Sequence, residues 1–155
     1  MTDFDLVAIG SGSAAFAAAI RATEHGARVA LVERGTVGGT CVNVGCIPSK
    51  HLLAASHAYR SAGHHPFSGV STSQGGVDLE VLVDAKTRVV DELRREKYLD
   101  LAAAYGFDII QGDAKFVNKD RVAVDGRELS ATSFLVATGA APWVPEGHGN
   151  LRLFP

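Results

Sequence analysis

The chain contains only two cysteines, Cys41 and Cys46, among its 155 residues. A secreted domain of this size that relied on disulfides would carry several bridges, so the low count excludes a disulfide-stapled scaffold. One close pair of cysteines in a reducing compartment instead indicates redox chemistry or metal binding.

Excess positive charge and long apolar runs are also lacking. The chain has 15 basic and 17 acidic residues, a formal net charge of −2, and no extended basic segment. We therefore expect neither nucleic acid nor a membrane as a partner. The most apolar stretch, Ala14 to Ile20, is too short to span a bilayer. Met1 is followed by Thr2 and Asp3 rather than by the basic start of a signal peptide, which predicts a cytoplasmic protein.

What the chain does contain is an alternation of short apolar runs with helical patterns, in a length that suits about one domain. The predicted strands are Phe4 to Ile9, Arg28 to Glu33, Phe107 to Gln111 and Ser133 to Ala137, with a hairpin formed by Lys115 to Val117 and Arg121 to Val124. The predicted helices are Ser13 to His25, a segment from near Cys41 to about Ser61, and a pattern from Val77 to Tyr105. The predicted fold class is α/β, a Rossmann-like domain with a parallel sheet, crossover helices and a small β-meander.

The turn after the first predicted strand has the pattern G-x-G-x-x-A, at Gly10 to Ala15. In that pattern Gly10 permits the sharp turn, Gly12 lets a pyrophosphate approach the backbone, and Ala15 lets the helix pack on the strand. Glu33 ends the second strand, at the spacing of the acid that binds a ribose hydroxyl and repels a 2′-phosphate. A plain tight turn is the alternative, and the strand, the helix and Glu33 together favour a nucleotide site.

The segment around the two cysteines predicts an irregular helix start. Residues five apart in a regular helix point in different directions, so Cys41 and Cys46 could meet only if the first turn is distorted. Gly45 loosens the backbone there, and Pro48 lacks the N–H of a regular turn. A thiolate at a helix N-terminus near Lys50 is stabilised, which suits both disulfide exchange and the binding of soft metals.

Two other interpretations of the cysteines stay open at this point. They could be buried structural residues, or they could form a zinc site with His51 or His57, although structural zinc takes four ligands at shorter spacing. The pair His64-His65 falls in a polar loop and is expected to be solvated.

Four motifs together resemble one family. They are GSGSAA (Gly10 to Ala15), VERG (Val32 to Gly35), GTCVNVGCIPSK (Gly39 to Lys50) and ATGAAPWVPE (Ala137 to Glu146). They closely resemble the pyridine nucleotide-disulfide oxidoreductases, which include glutathione reductase, dihydrolipoamide dehydrogenase and mercuric reductase. The resemblance covers essentially the whole chain and implies that residues 1–155 form an FAD-binding domain.

The resemblance also implies a set of cofactor contacts. FAD would be bound by Gly10, Gly12, Ser13, Ala14 and Ala15 at the pyrophosphate, Glu33 and Gly35 at the adenosine ribose, Ala114 at the adenine, Thr40 and Lys50 at the flavin, and Thr138 and Gly139 nearby.

The catalytic residues that the resemblance implies are Cys41, Cys46 and Lys50. NADPH would pass electrons to FAD and on to a Cys41–Cys46 disulfide. Cys46 would be the inner thiol beside the flavin, Cys41 the outer thiol that meets the substrate, and Lys50 would steady negative charge on the flavin. Full-length family members are homodimers.

Within the family, the similarity is greatest to the mercuric reductases. It rests on GSGSAAFAAAI, RGTVGGTC, HHPF (His64 to Phe67), DELRREKY (Asp91 to Tyr98) and the Ser49-Lys50 ending. This implies reduction of Hg(II), with Cys41 and Cys46 as its transient ligands. The alternatives are dihydrolipoamide dehydrogenase or another disulfide reductase, and a flavin-binding module without catalysis.

Family members continue beyond the position of Pro155 through an NAD(P)H domain, a second FAD segment and a dimerisation domain, so we expect this chain to be an N-terminal fragment. The purified 155-residue chain should then fail to oxidise NADPH in the presence of Hg(II) or a disulfide. The measurement is NADPH absorbance with added FAD, and oxidation at the full rate of a family enzyme would contradict the expectation.

Overall fold

The computed structural model describes residues 2–141, so the end of the predicted ATGAAPWVPE motif lies outside the described residues. The strands are β1 (Phe4–Ile9), β2 (Val29–Glu33), β3 (Asp108–Gln111), β4 (Ala114–Asn118), β5 (Arg121–Val124) and β6 (Arg127–Val136). The helices are α1 (Ser13–Glu24), α2 (Gly39–Asn43), α3 (Cys46–Gly63), α4 (Leu79–Arg94) and α5 (Asp100–Tyr105), with a π-helical turn at Arg95–Leu99.

The strands form a sheet in the order β3-β2-β1-β6-β5-β4. The first four run parallel, with Ile9 of β1 opposite Val32 of β2 and Val136 of β6. Parallel neighbours need a crossover, and α1 supplies the one between β1 and β2. The carboxyl ends of the parallel strands therefore meet at one edge, where ligands bind in open α/β sheets.

The antiparallel part of the sheet confirms the predicted β-meander. Strands β4 and β5 form the predicted hairpin, and β5 pairs with the first part of β6, where Val124 lies opposite Arg127. The second part of β6 turns to β1, with Phe4 opposite Ala131. The prediction for β6 began six residues too late, because its first part is polar and half-exposed and gives no apolar run.

The core has two halves, one on each face of the parallel strands. On β1, Ala8 faces the half that α1 and α5 cover, and Val7 faces the half that the meander covers. The helical half consists of Ala8, Ala15, Phe16, Ala19, Val29, Leu31, Ala102 and Phe107. The meander half consists of Val7, Ala30, Val32, Val122, Val124, Leu129 and Ala131. Because both faces are covered, β2 is a continuous apolar run, as buried parallel strands are.

Two predicted helices are interrupted. The helix predicted from near Cys41 to Ser61 is in fact two, since Gly45 has φ −109° and ψ −108° between α2 and α3. Pro48 is accommodated in the first turn of α3, where backbone N–H groups have no helical acceptor to lose. The pattern from Val77 to Tyr105 is broken by the π-helical turn, whose Tyr98 packs edge-on against Phe16 at 4.8 Å between ring centres.

The Gly10 position should tolerate no side chain. Its φ is +111°, and a Cβ atom there would collide with the carbonyl oxygen of Ala137. We expect Gly10→Ala to lower the free energy of unfolding by about 2–4 kcal/mol, from left-handed strain plus overpacking. The measurement is urea unfolding followed by circular dichroism.

Gly26→Ala is the matched control. Gly26 also has a positive φ, +82°, but nothing lies within 4 Å of its added Cβ atom. Strain alone should cost about 1 kcal/mol there. Equal losses in the two variants would contradict the close contact with Ala137.

Candidate functional site

The glycine turn and the cysteine segment touch each other through their backbones. A Cβ atom built on Gly39 would lie 2.8 Å from the Cα atom of Gly12. A Cβ atom built on Gly12 would lie 3.9 Å from the Cα atom of Gly39. Gly12 is also the N-cap of α1 and offers no side chain to the helix. The N–H groups of the first turn, from Ser13 to Ala15, therefore keep their donors for a ligand such as a phosphate.

Glu33 lies beside this turn and accepts two hydrogen bonds. Its Oε2 atom accepts from the hydroxyl of Ser11 at 2.6 Å, and its Oε1 atom accepts from the backbone N–H of Gly35 at 2.8 Å. The side-chain amide of Gln111 donates to the Gly35 carbonyl at 3.0 Å and steadies that loop. The carboxylate is thus fixed at the end of β2 while the second lone pair of each oxygen is left for a ligand.

The break between α2 and α3 brings the two cysteines together. The N–H of Gly45 donates to the carbonyl of Thr40 at 2.7 Å, and the N–H of Val44 donates to the same oxygen at 3.0 Å. A side chain at Gly45 would lie 2.9 Å from that oxygen and 3.4 Å from the Cα atom of Cys41, so the tight bend needs glycine. Cys41 on α2 and Cys46 at the start of α3 are both exposed free thiols.

Asn43 holds the cysteine segment to its neighbours and was missed by the sequence prediction. Its Nδ2 group donates to the carbonyls of Gly39 and Val37 at 2.9 Å and 3.0 Å. Its Oδ1 atom accepts from the guanidinium of Arg94 on α4 at 3.2 Å, and Arg94 pairs with Asp91 at 2.6 Å. The one sign of this role in the sequence is that Asn43 is a polar residue between two apolar ones, Val42 and Val44.

The two thiols interact electrostatically. The pKa of Cys41 is raised, first by the side-chain hydrogen bond with Cys46, then by burial and by the charge of Cys46. The backbone N–H of Cys46 and the charge of Lys50 lower the same pKa and offset part of this effect. The predicted stabilisation of a thiolate at this helix start is therefore outweighed at Cys41, whose pKa is raised by the neighbouring Cys46 thiol.

The other predicted cofactor residues lie around the same edge. Thr138 and Gly139 are exposed and lie just beyond the end of β6, after Ala137. The backbone N–H of Ala137 donates a hydrogen bond to the carbonyl of Ile9. Ala114 begins β4, two residues after Gly112, whose N–H donates to the carbonyl of Glu33 at 2.9 Å. The residues predicted for the pyrophosphate and the ribose thus border one edge of the sheet. Lys50, predicted for the flavin, is exposed on α3, where its charge acts on Cys41. All these roles stay predictions.

The zinc alternative finds no support in the described part of the chain. Within residues 2–141, no three side chains from His, Cys, Asp and Glu are grouped so that they could hold a metal ion. Of the pair predicted to be solvated, His64 is exposed, whereas His65 is half-buried and stacks on Phe67 with 6.0 Å between ring centres. In the same range, no helix has the length and apolarity to cross a membrane.

Comparison with known proteins assigns the family. The sequence profile described as pyridine nucleotide-disulphide oxidoreductase matches residues 4–154. The chain belongs to this family. Proteins named mercuric reductase from Staphylococcus aureus and Streptomyces lividans are 54% and 47% identical to it, over 93% and 96% of this oxidoreductase chain. The chain spans only 26% and 32% of their lengths.

Solved structures of a related oxidoreductase have the same fold. The HOCl-induced flavoprotein disulfide reductase RclA from Escherichia coli is 31% identical and superposes with a TM-score of 0.75, over 92% of this chain and 29% of its own. Its Cu(II) complex is 30% identical, with a TM-score of 0.73 over the same shares. The predicted family, its similarity to mercuric reductases and the Rossmann-like fold are therefore confirmed.

The raised pKa of Cys41 predicts opposite effects for two substitutions. Cys46→Ala removes the largest cause of the raised Cys41 pKa, so that pKa should fall and alkylation by iodoacetamide should begin at lower pH. Lys50→Gln removes a lowering charge, so the pKa should rise further. The measurement is the pH profile of Cys41 alkylation by mass spectrometry, on the fully reduced chain.

Lys119→Gln is the control, an exposed lysine between β4 and β5 at which no change of the Cys41 profile is expected. If the pH profile of Cys41 alkylation is the same with and without the Cys46 side chain, then Cys46 does not raise the pKa of Cys41.

Proposed function

We propose that this chain is the FAD-binding part of an oxidoreductase that reduces Hg(II) with electrons from NADPH, through Cys41 and Cys46. One observation carries the proposal: two exposed free thiols, on either side of the Gly45 bend, belong to the segment whose Gly39 contacts the backbone of Gly12 in the nucleotide-type turn. The names of the relatives at 47% and 54% identity support mercury as the substrate.

The residues at the turn fit FAD. The N-terminus of α1 carries no side-chain cap and attracts a pyrophosphate, and Glu33 is held where a ribose hydroxyl could donate to it. Gly10, Gly12, Ser13, Ala14 and Ala15 would hold the pyrophosphate, and Glu33, Gly35 and Ala114 the adenosine. Thr40, Lys50, Thr138 and Gly139 would border the rest of the cofactor. When bound, FAD supplies the two-electron chemistry between NADPH and the cysteine pair.

The cysteines supply the metal-binding chemistry. Hg(II) is a soft ion, and thiolates are the soft ligands that bind it. Binding by Cys41 and Cys46 forms two sulfur–mercury bonds and releases both thiol protons, because each ligand must be deprotonated. The Cys46 side chain and burial raise the pKa of Cys41, and the backbone N–H of Cys46 and the charge of Lys50 offset part of that rise.

The complete reaction is proposed for the whole protein, since the chain spans about a third or less of these relatives. The NADPH site and the homodimer contacts are proposed to lie outside residues 2–141. The cytoplasmic location stays a prediction.

Reduction of a disulfide is the second candidate function. It is favoured by the likeness to RclA, a disulfide reductase of 31% identity. The same two thiols would serve: one attacks the substrate disulfide, forms a mixed disulfide and releases the first thiol product, and the other attacks that mixed disulfide, releases the second thiol product and closes the Cys41–Cys46 disulfide. Lipoamide or another small disulfide would then replace Hg(II).

The proposal predicts that the reduced chain binds one Hg(II) ion between its two cysteines. Under anaerobic conditions, one equivalent of Hg(II) should remove both thiols that react with Ellman's reagent. The complex should resist a tenfold excess of a monothiol, whereas Cys41→Ser and Cys46→Ser should lose the metal at least about 100-fold more readily, because two linked ligands act at a high effective concentration.

The variant that carries both Cys41→Ser and Cys46→Ser is the control for Hg(II) bound at other positions of the chain, and it should retain no Hg(II). Equal loss of metal from the wild type and the single variants would refute a shared site. In the whole protein, either substitution should abolish Hg(II)-dependent NADPH oxidation. If the whole protein without substitutions oxidises NADPH in the presence of a disulfide but not of Hg(II), the second candidate function is the correct one.

A further inference from the structure

Ser11 is the one buried polar residue within the described part of the chain, with only 1% of its surface exposed. It occupies the first variable position of the glycine turn, and no role for it follows from the G-x-G-x-x-A pattern. Burial of a hydroxyl costs free energy unless its hydrogen bonds are made, so its partners indicate what it does.

Both hydrogen-bonding functions of the Ser11 hydroxyl are used. It donates its only proton to Oε2 of Glu33 at 2.6 Å and accepts from the backbone N–H of Gly38 at 3.2 Å. The direction is fixed, because an N–H only donates and an ionised carboxylate only accepts. A bond to a charged acceptor is among the stronger hydrogen bonds in proteins.

The loop does not depend on this hydroxyl alone. The N–H of Gly38 also donates to the backbone carbonyl of Ser11 at 3.2 Å. Gly38 is buried, and a side chain there would collide with Val42 at 2.6 Å. Loss of the hydroxyl therefore leaves the loop attached by its backbone, and the effect falls on Glu33.

We propose that Ser11 is a positioning residue for nucleotide recognition: it orients Glu33 toward the ribose hydroxyls and links that carboxylate to the start of the cysteine segment. The inference rests on the proposed nucleotide site. With Oε2 bonded to Ser11 and Oε1 to the N–H of Gly35, the carboxylate cannot rotate, so its remaining lone pairs have a fixed direction.

The test compares ADP with 2′,3′-dideoxy-ADP, which lacks the ribose hydroxyls. Dissociation constants for the 155-residue chain are measured by NMR titration of the backbone amides. The wild type should prefer ADP by about tenfold, the worth of a hydrogen bond to a charged group. Ser11→Ala should reduce that preference at least about threefold.

Glu33→Gln and the double variant show whether Ser11 acts through Glu33. Glu33→Gln should lower the preference for ADP, and adding Ser11→Ala to it should have no further effect. Ser133→Ala removes an exposed hydroxyl on β6 and should leave the preference at the wild-type value.

Three results overturn the inference in distinguishable ways. If Ser11→Ala weakens both nucleotides equally, Ser11 is only structural and the nucleotide site stands. If Ser11→Ala lowers the preference as much in the Glu33→Gln background, Ser11 does not act through Glu33. If the wild type binds neither nucleotide, the proposed cofactor site fails together with the inference.

Discussion

The site depends on the contact between two backbones that carry no side chains. Gly12 and Gly39 are close enough that a Cβ atom on Gly39 would lie 2.8 Å from the Cα atom of Gly12. That contact places the cysteine segment directly on the turn that precedes α1. Interiors are packed densely and side chains have no room to adjust around a backbone contact, so a residue with a Cβ atom at position 39 would push the cysteines away from the turn.

The second constraint is the bend at Gly45. The carbonyl of Thr40 accepts from both Val44 and Gly45, which closes α2 after barely one turn and lets α3 begin at Cys46. An unbroken helix would point the two thiols apart. The bend makes the Cys41 thiol a neighbour of the Cys46 thiol and of the first N–H groups of α3, so the local backbone determines the electrostatics of the pair.

The sequence predicted most of the fold, because buried parallel strands are plain apolar runs and the glycine turn has fixed spacing. It predicted β1 to the residue, and it missed the first part of β6, whose outward residues are polar. The need for an irregular start near the cysteines could be inferred from Gly45 and Pro48. The hydrogen bonds from Ser11 to Glu33 and from Arg94 to Asn43 could not be found that way, since the bonded residues lie 22 and 51 positions apart in the chain. Such partners become neighbours only after the sheet and helices have packed.

The nucleotide turn and the cysteine segment are therefore mechanically one unit. Gly38 donates to the carbonyl and to the hydroxyl of Ser11, and Gly39 rests on Gly12, so the loop before Cys41 has little freedom to move independently of Glu33. Asn43 and Arg94 hold the same loop from the other side, through α4. Because these backbone contacts do not involve the Ser11 hydroxyl, the loop stays in place when that hydroxyl is lost, and only Glu33 loses a partner. Within the described residues, the Ser11 hydroxyl is the only side-chain group that hydrogen-bonds to both Glu33 and the loop before Cys41, so it is the one link between them that a substitution can remove while the backbone contacts remain.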